Sequence, residues 1–114
     1  VVEDNEINRE IATFMLESVG IVPTCVTNGK EALDKVKEEI YDCILMDVMM
    51  PVMGGLEATR QLRAMGVDTP IIAMSANAFK DDVERSLKAG MNAHLSKPID
   101  EKLLVKTIYK FCKK

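Results

Sequence analysis

Several things are missing from this chain, and each absence removes a class of function. There is no basic excess: 15 Lys and Arg against 18 Asp and Glu leave a formal charge of -3. That balance gives no footprint for nucleic acid and no polybasic patch for a membrane surface, so neither is expected to be contacted directly. No apolar run approaches the length of a membrane span, and no signal-peptide pattern precedes Val1. There is no C-x-x-C spacing. The three cysteines, Cys25, Cys43 and Cys112, are odd in number and scattered, and two of them fall inside strand-like runs. They read as reduced core thiols in a cytoplasmic setting. There is also no linker, no low-complexity tract and no G-x-G-x-x-G, which excludes a dinucleotide-binding module.

What the chain does have is a core. At 114 residues, with 47% hydrophobic and 29% charged residues, it fits one domain spanning residues 1–114. Strand and helix signals alternate throughout. Val1 and Val2 end a first strand that reads as already under way, so further residues are expected upstream. Asn5 can cap a helix whose apolar positions Ile7, Ile11, Phe14, Met15 and Leu16 run to a stop at Gly20. Ile21 to Val26 reads as a second strand, at an edge because of Pro23. Asn28 with Glu31 resembles a capping box for a helix using Ala32, Leu33 and Val36. Cys43 to Met46 reads as a strand buried on both faces, followed by Asp47 and a loop held open by Pro51, Gly54 and Gly55. Beyond it come a helix from Leu56 to Met65 ended by Gly66 and a strand from Pro70 to Met74. A helix marked by Phe79, Val83 and Leu87 and ended by Gly90 follows, then a short strand from Ala93 to Leu95. Asp100 caps a last helix carrying Leu103, Leu104, Ile108 and Phe111. Five βα units in a row imply an α/β fold with a five-stranded parallel sheet and five helices, and the flavodoxin-like strand order 2-1-3-4-5 puts the first and third strands side by side.

In that order Glu3 and Asp4 stand beside Asp47 at the carboxyl rim of the sheet, where open α/β sheets gather their chemistry. Three carboxylates there repel, and they stay ionised cheaply only with a hard cation or a basic side chain among them. Mg²⁺, which takes oxygen ligands and bridges carboxylates to phosphate, is the natural candidate. An aspartate can itself attack phosphorus to give an aspartyl phosphate. Ser75 follows the fourth strand and Lys97 the fifth, so the same topology brings a hydroxyl and an ammonium to the same rim, which phosphoryl transfer needs for positioning and charge neutralisation.

Glu3-Asp4, Met46-Asp47 with Met50-Pro51, Met74-Ser75-Ala76 and Lys97-Pro98 together resemble the receiver domain of two-component response regulators, over essentially the whole chain. The runs Asp4-Asn5-Glu6-Ile7-Asn8-Arg9 and Ala76-Asn77-Ala78-Phe79 are most similar to receivers attached to hybrid sensor histidine kinases. The resemblance implies a phosphorylation-driven switch in a phosphorelay. Asp47 would accept a phosphoryl group from phosphohistidine on a histidine kinase or histidine phosphotransfer domain. Mg²⁺ would be held by Asp4, Asp47 and the Met49 backbone carbonyl, and by Glu3 through water, Ser75 and Lys97 would bind the phosphoryl oxygens, and the Lys97-Pro98 peptide would be cis. A downstream effector protein or domain would read the changed surface. The domain would then be a self-modifying substrate more than a turnover enzyme, lying in the cytoplasm or in the cytoplasmic part of a membrane-anchored sensor kinase.

Each residue also has a plainer reading. Asp47 can be a strand-end turn residue, Glu3-Asp4 an acidic pair favoured by a helix dipole, Lys97 a solvated lysine and the methionines core filler. Their company in one chain favours chemistry. A degenerate receiver acting only as a protein-interaction module is the alternative, against which Asp4, Asp47, Ser75 and Lys97 all stand intact. A haloacid-dehalogenase-type phosphohydrolase wants a second aspartate two residues after the nucleophile, where this chain has Met49. Two positions depart from the family pattern. His94 stands where receivers carry an aromatic switch residue, and it reads either as a titratable switch drawn inward with Ser75 or as a half-exposed polar residue without coupling. Met49, next to the attacking-water path, cannot orient water and predicts slow autodephosphorylation.

Overall fold

The computed structural model describes residues 1–48, 53–75, 80–97 and 99–112, with residues 82 and 112 described by backbone alone. Five helices, α1 (Glu6–Glu17), α2 (Gly29–Glu38), α3 (Gly55–Ala64), α4 (Lys80–Ala89) and α5 (Glu101–Cys112), alternate with strands β1 (Ile44–Asp47), β2 (Ile71–Ser75) and β3 (Ala93–Ser96). The strands run parallel in the order β1-β2-β3, with Asp47 opposite Met74 and Ser75 opposite Ser96. On the other side of β1, Val2 forms parallel bridges to both Met46 and Val26. Reading across the sheet, the backbone therefore passes Val26, Val2, β1, β2 and β3, which is the order 2-1-3-4-5.

Every residue of β1 and β2 is buried, and alternate residues feed opposite cores. Ile44, Met46, Ile71 and Ala73 pack with Leu33, Ala58 and Leu62 beneath α2 and α3. Leu45, Ile72, Met74 and Leu95 pack with Leu16 and Leu104 beneath α1 and α5. This two-sided burial is why the strands read as unbroken apolar runs.

The three expected caps form. Asn5 accepts from Asn8 N–H at 3.0 Å, Asn28 from Glu31 N–H at 2.9 Å and Asp100 from Leu103 N–H at 3.2 Å. The Glu31 carboxylate reaches back one residue further than a capping box requires, to the N–H and hydroxyl of Thr27, both at 2.7 Å. Gly20, Gly66 and Gly90 take positive φ at the ends of α1, α3 and α4.

Several expectations need correcting. The second strand expected over Ile21 to Val26 is reduced to a bridge at Val26, since Pro23 has no N–H to give and Val22 is 85% exposed. In α1 the buried stripe is Ala12 and Leu16 with Met15 beside them, while Ile7, Ile11 and Phe14, spaced to share a neighbouring face, point outward at 66%, 45% and 72% exposure. Leu87 and Leu103 are likewise exposed; Ser86 and Ala89 of α4 and Leu104 of α5 face inward instead. Phe79 lies outside the described residues. The cysteines are not all reduced core thiols: Cys25 is a free but exposed thiol, 3.5 Å from the Thr13 hydroxyl of α1, and Cys43 is disulfide-bonded. Cysteine state thus no longer supports a cytoplasmic setting. No described helix is long and apolar enough to cross a membrane.

Candidate functional site

The chain ladders deliver the site. Asp47 N–H donates to the Val2 carbonyl at 2.9 Å, locking the end of β1 against the residue before Glu3, and Lys97 N–H donates to the Ser75 carbonyl at 2.7 Å, locking the residue after β3 to the end of β2. Glu3, Asp4, Asp47, Ser75 and Lys97 therefore share the carboxyl edge of the sheet, as the strand order requires. Glu3 and Asp47 are 1% and 4% exposed, Ser75 is buried, and Asp4 is exposed.

The Lys97 ammonium bridges the two buried carboxylates, donating to Glu3 Oε1 at 3.1 Å, Glu3 Oε2 at 3.2 Å and Asp47 Oδ2 at 3.0 Å. Asn8 Nδ2 adds a bond to Glu3 Oε1 at 2.9 Å. Burial, and then the hydrogen bond and charge of Glu3, push the Asp47 carboxyl up to about 6 against the pull of Lys97. Burial presses Glu3 upward as well, but its hydrogen bonds with Asp47, Asn8 and Lys97 outweigh that and leave it below the usual carboxylate range. The two carboxylates therefore titrate as a pair, with Lys97 opposing the uptake of a proton. For Lys97, burial alone would favour the neutral amine; the bond and charge of Asp47, then those of Glu3, more than offset it and raise its pKa.

One carboxylate oxygen from each of Glu3, Asp4 and Asp47 can be chosen so that all three lie within 4.8 Å of one another. A cluster of hard oxygen donors, two of them buried and opposed by the Lys97 ammonium, suits a small divalent cation such as Mg²⁺. The donor set therefore fits the expected metal.

Behind the site, α3 starts hard against β1. Gly55 N–H donates to the Val48 carbonyl at 3.0 Å, and a Cβ at Gly55 would collide with the Asp47 carbonyl oxygen and lie 3.0 Å from Val48 Cα. These are backbone atoms with no rotamer to yield. Gly55→Ala is expected to destabilise the fold by about 1–3 kcal/mol and to shift Asp47; Gly54→Ala, whose Cβ meets only the Val48 carbonyl at 3.2 Å, should do less. Urea unfolding of the two variants checks the ranking.

The expected residues Glu3, Asp4, Asp47, Ser75 and Lys97 come together at the rim, and His94, half-buried in β3 opposite Ala73, lies two residues before the end of that strand. The Met49 carbonyl, Met50-Pro51, Ala76 to Phe79 and the Pro98 side of the Lys97-Pro98 peptide lie outside the described residues. Sequence reasoning assigned no role to Asn8 or Arg9. Arg9 Nη1 donates to the carbonyls of Glu3 and Asp4 at 2.9 and 3.1 Å.

Comparison with known proteins agrees with this geometry. The family model for the response regulator receiver domain matches residues 1–109. The chain is 42% identical to hybrid signal transduction histidine kinase I of Dictyostelium discoideum over 117 residues, covering 95% of this chain but only 7% of that protein. It is also 42% identical to the two-component response regulator ORR41 of Oryza sativa subsp. japonica over 115 residues, covering 97% of this chain and 91% of that protein. Among solved structures, the receiver domain of the Pseudomonas aeruginosa sensor histidine kinase PA1611, with a magnesium ion in its active-site cleft, superposes with a TM-score of 0.90 at 40% identity over 99% of this chain and 94% of that one. The receiver domain of Saccharomyces cerevisiae Ssk1, crystallised with the histidine phosphotransfer protein Ypd1, does so with a TM-score of 0.92 at 31% identity over 97% of this chain and 85% of that one. The chain belongs to the response regulator receiver domain family and is a receiver domain of two-component signal transduction.

Proposed function

We propose that Asp47 is the phosphoryl acceptor, and the observation that carries this is its position: a buried carboxylate at a strand end, within 3.0 Å of a lysine ammonium and clustered with two further acids. An Asp47 oxygen attacks phosphorus on a phosphohistidine; the O–P bond forms as the N–P bond breaks, and the leaving imidazole nitrogen keeps the electron pair and takes up a proton. Mg²⁺, held by Asp4, Asp47 and the Met49 carbonyl directly and by Glu3 through water, would neutralise charge on the phosphoryl oxygens. Lys97 gives up part of its contact with the carboxylates to hold one phosphoryl oxygen, and the Ser75 hydroxyl donates to another. Drawing Ser75 toward the phosphoryl group alters the end of β2, with His94 on the adjoining strand as the residue through which that change would reach the protein-binding surface. The donor is a histidine kinase or histidine phosphotransfer domain and the reader a downstream effector. The outward stripe of Ile7, Ile11 and Phe14 beside the site offers apolar surface to such a protein. The domain works where phosphohistidine is made, in the cytoplasm.

Incubation with a phosphorylated histidine phosphotransfer protein should move phosphoryl groups to this chain with Mg²⁺ and not with chelator. Retention of all label on the donor under both conditions would contradict the proposal. In the same assay the transferred group should persist well beyond seconds once donor is removed, because the Met49 side chain cannot position water; decay within seconds would refute that part.

A further inference from the structure

Arg9 occupies a poor place for a cation. It lies in the opening turns of α1, near the positive end of the helix dipole, while the last turn of that helix has no basic residue at all. Helix stability does not account for it, and a local choice that works against its element points to another task. The guanidinium turns backward, out of the helix. Its Nη1 donates to the Glu3 carbonyl at 2.9 Å and to the Asp4 carbonyl at 3.1 Å. Its neighbour Asn8 donates through Nδ2 to Glu3 Oε1 at 2.9 Å, and the Asn8 N–H is itself held by the Asn5 cap at 3.0 Å. Both carbonyls of the acidic turn and one of its carboxylate oxygens are thus held by side chains of α1.

We propose that Arg9 and Asn8 are positioning residues that brace the Glu3-Asp4 turn so that its carboxylates are already gathered when a divalent cation arrives. This rests on the reading of Glu3, Asp4 and Asp47 as the metal site. Carboxylates brought within 4.8 Å of one another repel, and an unrestrained turn relieves the repulsion by splaying. Glu3 is fixed by burial and Lys97, and Asp47 by the strand. Asp4 is exposed, so the backbone from which it projects must be held, and the Arg9 bond to its carbonyl does that. Ordering the ligands during folding spares the ion the work of ordering them on binding.

The brace and a bystander charge predict opposite signs. A guanidinium that merely sits near a divalent ion repels it, so removing it would tighten binding; removing a brace loosens it. Calorimetric titration of Mg²⁺ into the full chain at neutral pH, with no phosphodonor, separates the two. Arg9→Met should weaken Mg²⁺ binding by about 10–100-fold, Arg9→Lys should recover part of that loss, and Asn8→Ala should show a smaller loss in the same direction. The metal-free unfolding midpoint of Arg9→Met should fall as its two hydrogen bonds are lost, and saturating Mg²⁺ should raise the variant's midpoint by less than it raises that of wild type. Unchanged or tighter binding by Arg9→Met, with wild type binding normally, overturns the brace alone. A wild-type chain that takes up no Mg²⁺ overturns the metal reading and the brace with it. Should Arg9→Met fail to fold, Arg9→Lys and Asn8→Ala decide the matter by the presence or absence of a graded loss.

Discussion

Lys97→Met should lower the unfolding free energy of the metal-free chain by about 2–4 kcal/mol at neutral pH. The ammonium is the cation bonded to both Glu3 and Asp47, which are 1% and 6% exposed at the side chain while Lys97 itself is 21% exposed. Methionine preserves most of the stem's packing, so the loss isolates the charge. What it leaves is a pair of buried like-charged carboxylates, and the chain escapes by keeping a proton on one of them. The penalty should therefore shrink at about pH 5, where that proton is readily supplied. Urea unfolding at the two pH values checks this. A loss of the same size at both would mean that Lys97 contributes packing rather than charge.

The second large effect is the pH dependence set by Asp47. Its carboxyl titrates at about 6 in the folded chain against an ordinary 3.8, so the folded state binds this proton more tightly than the unfolded state. The stabilisation this provides is complete below the unfolded value and is lost as pH rises through the folded one. Glu3, shifted the other way from an ordinary 4.5, contributes with the opposite slope, but only below that value. Between about 4.5 and 6 the slope belongs to Asp47, and chelated protein should unfold at a lower urea concentration as pH rises across this window. Mg²⁺ should restore the midpoint near neutrality, because it stabilises the ionised cluster and competes with the proton. Asp47→Asn should flatten the slope and stabilise the metal-free chain at neutral pH by about 1–3 kcal/mol. A wild-type midpoint that rises with pH over the same range would refute the assignment.

Much of this was legible in the residues. The apolar runs at β1 and β2 are continuous because both faces are covered, and the caps at Asn5, Asn28 and Asp100 form because their side chains answer orphan N–H groups at fixed offsets. From those elements alone the strand-end rule brought Glu3, Asp47, Ser75 and Lys97 to one edge. The inward face of α1 was not legible, since Ile7-Ile11-Phe14 and Ala12-Met15-Leu16 are both helical stripes and only the packing of Leu16 against Leu45 and Ile72 selects between them. The weakness of pairing at residues 21–25 was half visible in Pro23. Arg9 fell within the run Asp4 to Arg9 that resembles receivers of hybrid kinases, but its task was not legible there, because it acts on the backbone carbonyls of Glu3 and Asp4, which every residue has.

Intact-mass measurement after incubation with Mg²⁺ and a small-molecule phosphodonor tests the central claim most directly. Wild type should gain a single phosphoryl group and Asp47→Ala none. Wild type that stays unmodified, or an Asp47→Ala chain that gains the group equally well, would contradict the assignment of Asp47 as the acceptor.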